Sequence, residues 1–419
     1  MSIEKKEYKK VSSYEAKKGD VKKVVLLYSG GLDTSMMLKW LQDAYEVEVV
    51  TLTLDIGQQG DDLEKVRKKA LKFGASEAIV ADVKDEFAQN ILSYGIKANA
   101  NYQNGYHLST PMGRVMLATK AVEVAKEQGA DAIAHGCTGK GNDQVRIEGY
   151  CLALQPDVKI LAPVREWDMD RDEQIDYAEK HNIPVPAKRD FPYSVDDNMW
   201  GMTWEGGEIE EPDQVSPIAK FLTTYTNPDK APDKHEDVMI DFKQGVPMAV
   251  NGNKLKLADI IDLLNKLGGK HGVGIIHQFE DRLVGIKNGG VYEMPGAHIL
   301  VKAHKALEQY VLTRTANELK ETLDIKWAYL CYGALWFDPA LQAINAMNDY
   351  LNKQVTGSVT LRLFKGSAYV ATMESPNGLM HTSFNTSGLD NFNVNASAGF
   401  IEIYTQQMRA VKEIENLEK

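Results

Sequence analysis

Two glycines and three hydroxyl side chains sit together in Ser29-Gly30-Gly31-Leu32-Asp33-Thr34-Ser35. The string lies between the apolar run Val24 to Tyr28 and a stretch in which Met37, Trp40, Leu41 and Ala44 recur at helical spacing. Glycines let the backbone turn tightly, and a helix that starts straight after the turn offers unpaired N–H groups and the positive end of its dipole. With donors from Ser29, Thr34 and Ser35 added, phosphate is the ligand that suits such a loop. On these residues alone, an ordinary glycine-rich turn with a hydroxyl cap fits as well. A second polar string runs from His135 through Gly136, Cys137, Thr138, Gly139, Lys140, Gly141, Asn142, Asp143, Gln144 and Val145 to Arg146, beginning where a strand over Ala132 to His135 should end. Asn142 and Arg146 would share a face if a helix starts there, with Asp143 three residues before Arg146. An amide, a carboxylate and a guanidinium gathered at a strand end are costly unless they meet polar partners. A solvated turn with an intrahelical salt bridge also accounts for Asp143 and Arg146.

The elements that must position these strings follow from hydrophobic periodicity. Strands are predicted over Val24 to Tyr28, Glu46 to Ile56, Glu77 to Val83, Ala132 to His135 and Lys159 to Val164, and helices over Asp61 to Phe73, Arg114 to Gln128 and Asp172 to His181. Repeated strand and helix units of this length imply a doubly wound α/β domain, a parallel sheet with helices on both faces and ligands at the carboxyl ends of its strands. It is assigned to 21–184, after an extension over 1–20. The alternation stops near Ile183-Pro184-Val185-Pro186, and the stretch to about Asp233 is rich in Pro, Gly, Asp and Glu with little periodicity. An α+β domain over 185–398 follows, with strands at Val238 to Phe242, Val246 to Val250, Val359 to Phe364 and Ala368 to Met373, a helix at Leu257 to Leu267, and long helices from Ala297 to about Leu351. The segment 399–419 has a weakly amphipathic pattern that suits a helix docking on another subunit or one lying on the surface.

Composition excludes several classes. The chain carries 48 Lys+Arg against 59 Asp+Glu, a net charge of -11, which disfavours a nucleic-acid partner. Its three cysteines, Cys137, Cys151 and Cys331, are far apart with no CxxC pair, so no disulfide framework or thiolate zinc site is expected and a reducing, cytoplasmic setting is. The first 20 residues mix Lys with Glu and read as neither a secretory signal nor a transit peptide, and no apolar run approaches the roughly 18 to 20 residues that span a bilayer. Neither Gly139-Lys140 nor Gly269-Lys270 is followed by Ser or Thr, so there is no Walker A loop. GxGxxG after a strand, HExxH and GxSxG are also missing.

SGGxD followed by a hydroxyl residue, in a strand–turn–helix setting, resembles the PP-loop of ATP pyrophosphatases. The likeness implies a loop that grips the two outer phosphates of ATP and leaves the α-phosphorus open to attack. The resemblance then narrows: SGGLDTS, HGCTGKGNDQVR, the run Phe191 to Asn198, Gly268 to Gly274, Glu280-Asp281-Arg282 and Val291-Tyr292-Glu293 occur together, in order, in the argininosuccinate synthase family. Gly333 to Asp338 and Val355-Thr356-Gly357 extend the match more weakly. The resemblance implies adenylation of citrulline by Mg²⁺-ATP, displacement of AMP by the amine of aspartate, and a homotetramer. It implies ATP contacts from Leu27, Tyr28, Ser29, Gly30, Gly31, Leu32, Asp33, Thr34, Ser35, Leu54 and Gly136. Citrulline contacts fall on Tyr106, Asn142, Arg146, Ser194, Thr203, Glu280 and Tyr292, and aspartate contacts on Thr138, Asn142 and Asp143. Asp33, Asn142, Asp143 and Arg146 are the implied catalytic group, with no resident metal site. Asp33 would meet Mg²⁺ or bond the loop, or else complement the helix dipole. Asp143 or His135 could take a proton from the aspartate amine, although a structural hydrogen bond suits His135 better. Pro111, where some members carry Ser, offers no donor, which leaves Thr110 to supply one. Other readings are another PP-loop ligase and a non-catalytic ATP-binding scaffold.

Overall fold

A computed structural model describes residues 16–60, 62–167, 169, 171–184, 193–218, 223–380 and 393–417. Five parallel strands, β1 (Lys23–Leu27), β2 (Glu48–Asp55), β3 (Glu77–Asp82), β4 (Ala132–Ala134) and β5 (Lys159–Leu161), form one sheet in the order β3-β2-β1-β4-β5. Its central strands are mostly apolar and buried because both faces are covered. Val25, Leu27, Val50 and Leu52 pack on one side with the helix Ser109–Gln128, while Val24, Leu26 and Val49 pack on the other with Leu38 and Leu41 of the helix Leu32–Tyr45. The chain leaves β1 toward β2 on one side and reaches β4 on the other. The carboxyl ends of β1 and β4 are therefore neighbours at the point where strand order reverses, which is where open α/β sheets hold ligands. All five expected strands form, each trimmed by a few residues at most.

Beyond this sheet come β6 (Ser194–Asn198), β7 (Gly201–Glu205), β8 (Glu236–Lys243), β9 (Val246–Val250), β10 (Asn253–Lys254), β11 (Ile275–Asp281), β12 (Lys287–Glu293), β13 (Gly357–Phe364) and β14 (Ser367–Glu374). They make two further sheets, β10-β9-β8-β13-β14 and β11-β12-β7-β6. The second of these corrects the sequence reading, which left 186–233 and the region of β11 and β12 without strands. The reason is visible in the register. Ser194 pairs with Glu205, Asp196 with Thr203, Thr203 with Tyr292 and Glu280 with Asn288, so one face of this sheet is polar. On the other face Met202, Trp204 and Val291 pack in an apolar cluster, with Ile275 partly buried against it, too few to give a readable alternation.

The helices Pro295–Val311, Arg314–Tyr332 and Pro339–Asn352 surround a buried polar knot. Lys320 Nζ lies 2.7 Å from Asp324 and 3.1 Å from Glu308, and also donates to the Lys97 carbonyl at 2.6 Å. Asn99 donates to both acids and meets His304. The knot anchors the chain at 97–99, just before Tyr102 and Tyr106. Residues to Pro376 form one compact unit, and Asn377–Lys419 form another. The second unit holds helices Ala396–Tyr404 and Gln406–Leu417, with Phe400, Ile403, Met408 and Leu417 exposed. Among the described residues no helix is long and apolar enough to cross a membrane.

The helix expected to end at Leu267 runs through Leu257–Lys270, because Gly268 and Gly269 let neighbouring chain come close. A Cβ on Gly269 would stand 1.9 Å from the Thr224 carbonyl oxygen. Gly269→Ala should therefore cost about 3 kcal/mol through backbone displacement, read as a lowered thermal midpoint by circular dichroism; an unchanged midpoint would contradict the packing described.

Candidate active site

The loop after β1 is shaped by a few contacts. Gly30 has φ +78°, and a Cβ there would lie 2.9 Å from both methyls of Val66, so conformation and space both require glycine. Lys69 Nζ holds the Gly30 carbonyl at 2.6 Å. Ser35 Oγ donates to the Gly31 carbonyl at 2.7 Å and meets the Tyr28 hydroxyl at 2.9 Å, while Ser29 and Thr34 pair at 3.2 Å. The helix Leu32–Tyr45 begins after Gly31 with no side-chain cap. Its first N–H groups thus face the exposed mouth of the loop, the arrangement an anion requires. Leu27, Tyr28 and Leu54 are buried at the strand ends below.

At the end of β4, Gly136 approaches the loop's helix so closely that a Cβ would meet Met37 Cε at 2.4 Å. His135 Nε2 lies 3.1 Å from Glu148 Oε1, and its Nδ1 accepts the Cys137 N–H at 3.2 Å. Both ring nitrogens are engaged, so His135 shapes the turn. Burial, with Asp143 adding to it, pushes the Cys137 thiol up to about 12, far from a nucleophile.

A helix does start at Asp143, over Asp143–Leu154 with Asn142 at its N-cap, and it brings all the expected amino-acid contacts, with Gly136, to one cavity of about 330 Å³. Gly136, Thr138, Asn142, Asp143 and Arg146 line it from this side, Tyr106 and Thr110 from another, and Ser194, Thr203, Glu280 and Tyr292 from the polar sheet face. Leu27 through Ser35 and Leu54 do not line it; they belong to the neighbouring loop mouth, joined through Gly136. Pro111 does not line it either. It sits buried in the first turn of Ser109–Gln128, where a missing N–H costs nothing.

The Asp143–Arg146 ion pair exists, with Oδ1 accepting from Nη1 at 2.8 Å, but it is largely shielded from solvent, Arg146 being buried and Asp143 partly so. Arg114 donates to Oδ2 of the same carboxylate at 2.9 Å and to Asp196 at 2.7 Å. Burial alone would raise the Asp143 carboxyl; Arg114 and Arg146 override it and hold it at about 2. Both oxygens being occupied, Asp143 is a poor proton acceptor, which removes one role the sequence left open. Arg146 Nη2 is buried with no partner among the described residues, a donor held ready for a carboxylate. Tyr292 donates to Glu280 Oε2 at 2.8 Å and stacks on Tyr106 with centroids 4.3 Å apart.

Sequence reasoning missed Arg114, Asp196, Glu205 and Arg282, all on the cavity wall. Arg114 is one helical turn beyond Thr110 and Glu205 two strand residues beyond Thr203, so the two periodicities would have found them. Arg282 pairs with Glu205 at 2.8 Å. A larger cavity of about 1170 Å³ lies between Gly57–Gln59 and the helix Leu257–Lys270, but its lysines are taken: Lys84 by Asp55, Lys256 by Asp85, Lys266 by Asp262 and Lys270 by Glu236. Chemistry gathers in the smaller one.

Comparison with known proteins decides which family the chain belongs to. Residues 23–184 match the model of the arginosuccinate synthase N-terminal HUP domain, and 193–411 that of the arginosuccinate synthase C-terminal domain. The chain belongs to the argininosuccinate synthase family. It is 47% identical to the argininosuccinate synthase of Pyrococcus furiosus over 92% of this chain and 93% of that one. For the Carboxydothermus hydrogenoformans argininosuccinate synthase the identity is 47%, over 91% and 95%. For that of Streptococcus mutans it is 45%, over 94% and 99%. With the family comes the activity for which it is named, an ATP-dependent ligation.

Glu205 supplies a pH test of whether this cavity is where the amino acids bind. Burial raises its carboxyl to about 7, with Arg282 opposing and Glu280, Asp196 and Asp143 adding to the rise. The charged form that can face an ammonium group is thus lost as pH falls through about 7. The acid limb of kcat/KM for the amino-acid substrates should lie there, and Glu205→Gln should remove that limb while lowering the plateau; a limb unmoved by the substitution would assign it elsewhere.

Proposed function

We propose that the chain joins citrulline to aspartate through a citrullyl-adenylate, with the nucleotide in the mouth of the 29–35 loop and both amino acids in the adjoining cavity. The observation that carries this is the buried Arg146 Nη2, without a partner among the described residues, beside two carboxylates already satisfied by hydroxyl or guanidinium donors. Zwitterionic substrates need this pairing of a free donor for carboxylate and a charged acceptor for ammonium. Tyr106, Asn142, Arg146, Ser194, Thr203, Glu280 and Tyr292 are assigned to citrulline, and Thr138, Asn142 and Asp143 to aspartate. Leu27 through Ser35, Leu54 and Gly136 are assigned to ATP.

In the first step the ureido oxygen attacks the α-phosphorus of ATP, and the bond to the bridging oxygen breaks to release pyrophosphate. That oxygen needs no prior deprotonation, so positioning and charge stabilisation carry the step. In the second, the neutral amine of aspartate attacks the activated carbon, the carbon–oxygen bond breaks and AMP departs, with one proton lost. Among the described residues no group of three or more His, Cys, Asp or Glu side chains could hold a metal. Mg²⁺ would come as a companion of the ATP phosphates, where it would neutralise phosphate charge and Asp33 would be the residue to meet it, unless that side chain serves the loop or the helix dipole instead.

The partition into an extension at 1–20, a nucleotide domain at 21–184, a synthetase and multimerisation domain at 185–398 and an oligomerisation helix at 399–419 belongs to the same proposal. So do a homotetramer, favoured by the exposed apolar side chains of the last two helices, and a cytoplasmic setting, favoured by three unpaired cysteines. The test is purified protein with Mg²⁺-ATP and citrulline, with and without aspartate, following AMP, ADP and pyrophosphate separately. Aspartate-dependent AMP with equal pyrophosphate and argininosuccinate is expected, and Asp143→Ala or Arg146→Ala should lower kcat/KM at least ~100-fold, as loss of one partner of a buried charge pair does. Tight ATP binding without AMP would turn the reading toward a nucleotide-binding scaffold.

A further inference from the structure

We propose that Tyr332 is a positioning residue for the ligation, one hydroxyl that sets the Asn142 amide and the Glu280 carboxylate toward the two amino-acid substrates. The inference rests on the argininosuccinate synthase reading and adds a residue to it. Tyr332 does not line the cavity; it acts through residues that do.

Its hydroxyl accepts from Asn142 Nδ2 at 2.9 Å and donates to Glu280 Oε1 at 2.7 Å. A hydroxyl has one hydrogen, so the direction of one bond fixes the other. Asn142 Oδ1 meanwhile accepts the Leu283 N–H at 2.8 Å. The amide is therefore held at both ends, and what it presents to a ligand is its second N–H, a donor suited to a carboxylate. Glu280 takes its other donor from Tyr292. Burial pushes the Glu280 carboxyl up and these two hydroxyls pull it down, so each favours the charge that an ammonium group needs.

The backbone of Tyr332 adds a third contact. It is the last residue of the helix Arg314–Tyr332, where carbonyl groups have no partner within the helix, and its carbonyl accepts from Arg146 Nε at 3.1 Å. Its ring lies 4.7 Å from Arg146 Cζ and stacks on Tyr102 at 3.8 Å with 8° between planes. The helix is stopped firmly at this point. Gly333 N–H returns to the Tyr329 carbonyl, Leu335 N–H to the Leu330 carbonyl, and Ala334 adopts φ 62°. One residue thus registers Asn142 and Arg146, from the start of the helix Asp143–Leu154, with Glu280, from β11.

The experiment compares full-length wild type, Tyr332→Phe and Tyr102→Phe in steady-state synthesis. Phenylalanine keeps the ring, the stack and the backbone contact and deletes only the bridging hydroxyl. Tyr332→Phe should raise KM for citrulline and for aspartate roughly tenfold each, the scale of a lost hydrogen bond to a charged group, while KM for ATP stays as in wild type. In a Glu280→Gln background the same substitution should have a smaller effect, since the two residues share one interaction. Tyr102→Phe should behave as wild type. Unchanged amino-acid KM values in Tyr332→Phe would overturn the proposal, as would an equal rise in KM for ATP or equal losses in Tyr102→Phe, which would mark a general packing effect. Wild type that makes no argininosuccinate would overturn the functional reading itself, a failure seen before any variant is compared.

Discussion

Everything at the site hangs on the Asp143 carboxylate being gripped from two sides. Arg114 comes from the long helix beneath the parallel sheet and Arg146 from the helix that begins after β4. A partly buried carboxylate between the buried Arg146 and the partly buried Arg114 is stable only as a set, because removing one member leaves an uncompensated charge in a poorly solvated place. The clamp fixes the relative rotation of the two helices and, through Asp196, pulls the polar face of the four-stranded sheet onto them. It also fixes what Asp143 can do: it orients and attracts, and it does not take up protons.

The nucleotide half was readable because its signals are local. A strand, two glycines, hydroxyls and a helix follow one another within a dozen residues, and the requirement for glycine at Gly30 comes from a neighbour, Val66, in the next crossover helix. The second string was half readable. Its residue types announced a polar site, but sequence could not tell a solvated salt bridge from a buried one, since that depends on Arg114, about thirty positions away. β6 and β7 were illegible for a physical reason: one face is polar because it is the wall of the site, so function erased the hydrophobic alternation that reveals a strand. Tyr332 gave no signal at all. It lies at the end of an ordinary helix, and its partners are far off in the chain.

The family match and the physical reading reinforce each other at particular atoms. The matching motifs pointed to Asn142, Arg146, Glu280 and Tyr292 as a group, and the structure supplies what motif order could not, namely which of their atoms are already used. Asn142 Oδ1 and both Glu280 oxygens are engaged by protein, while Arg146 Nη2 is not. Such an inventory narrows the ligand groups the cavity can accept more tightly than its volume does.

The same inventory bears on how substrates arrive. The cavity holds Arg114, Arg146 and Arg282, yet each already faces a carboxylate of the protein, so little of their field reaches past the rim. Amino acids carrying no net charge or one negative charge then meet an acidic protein without long-range attraction. Encounter is left to diffusion alone, and capture rates should be nearly indifferent to ionic strength, because the charges that recognise the substrate act only once it is within contact distance.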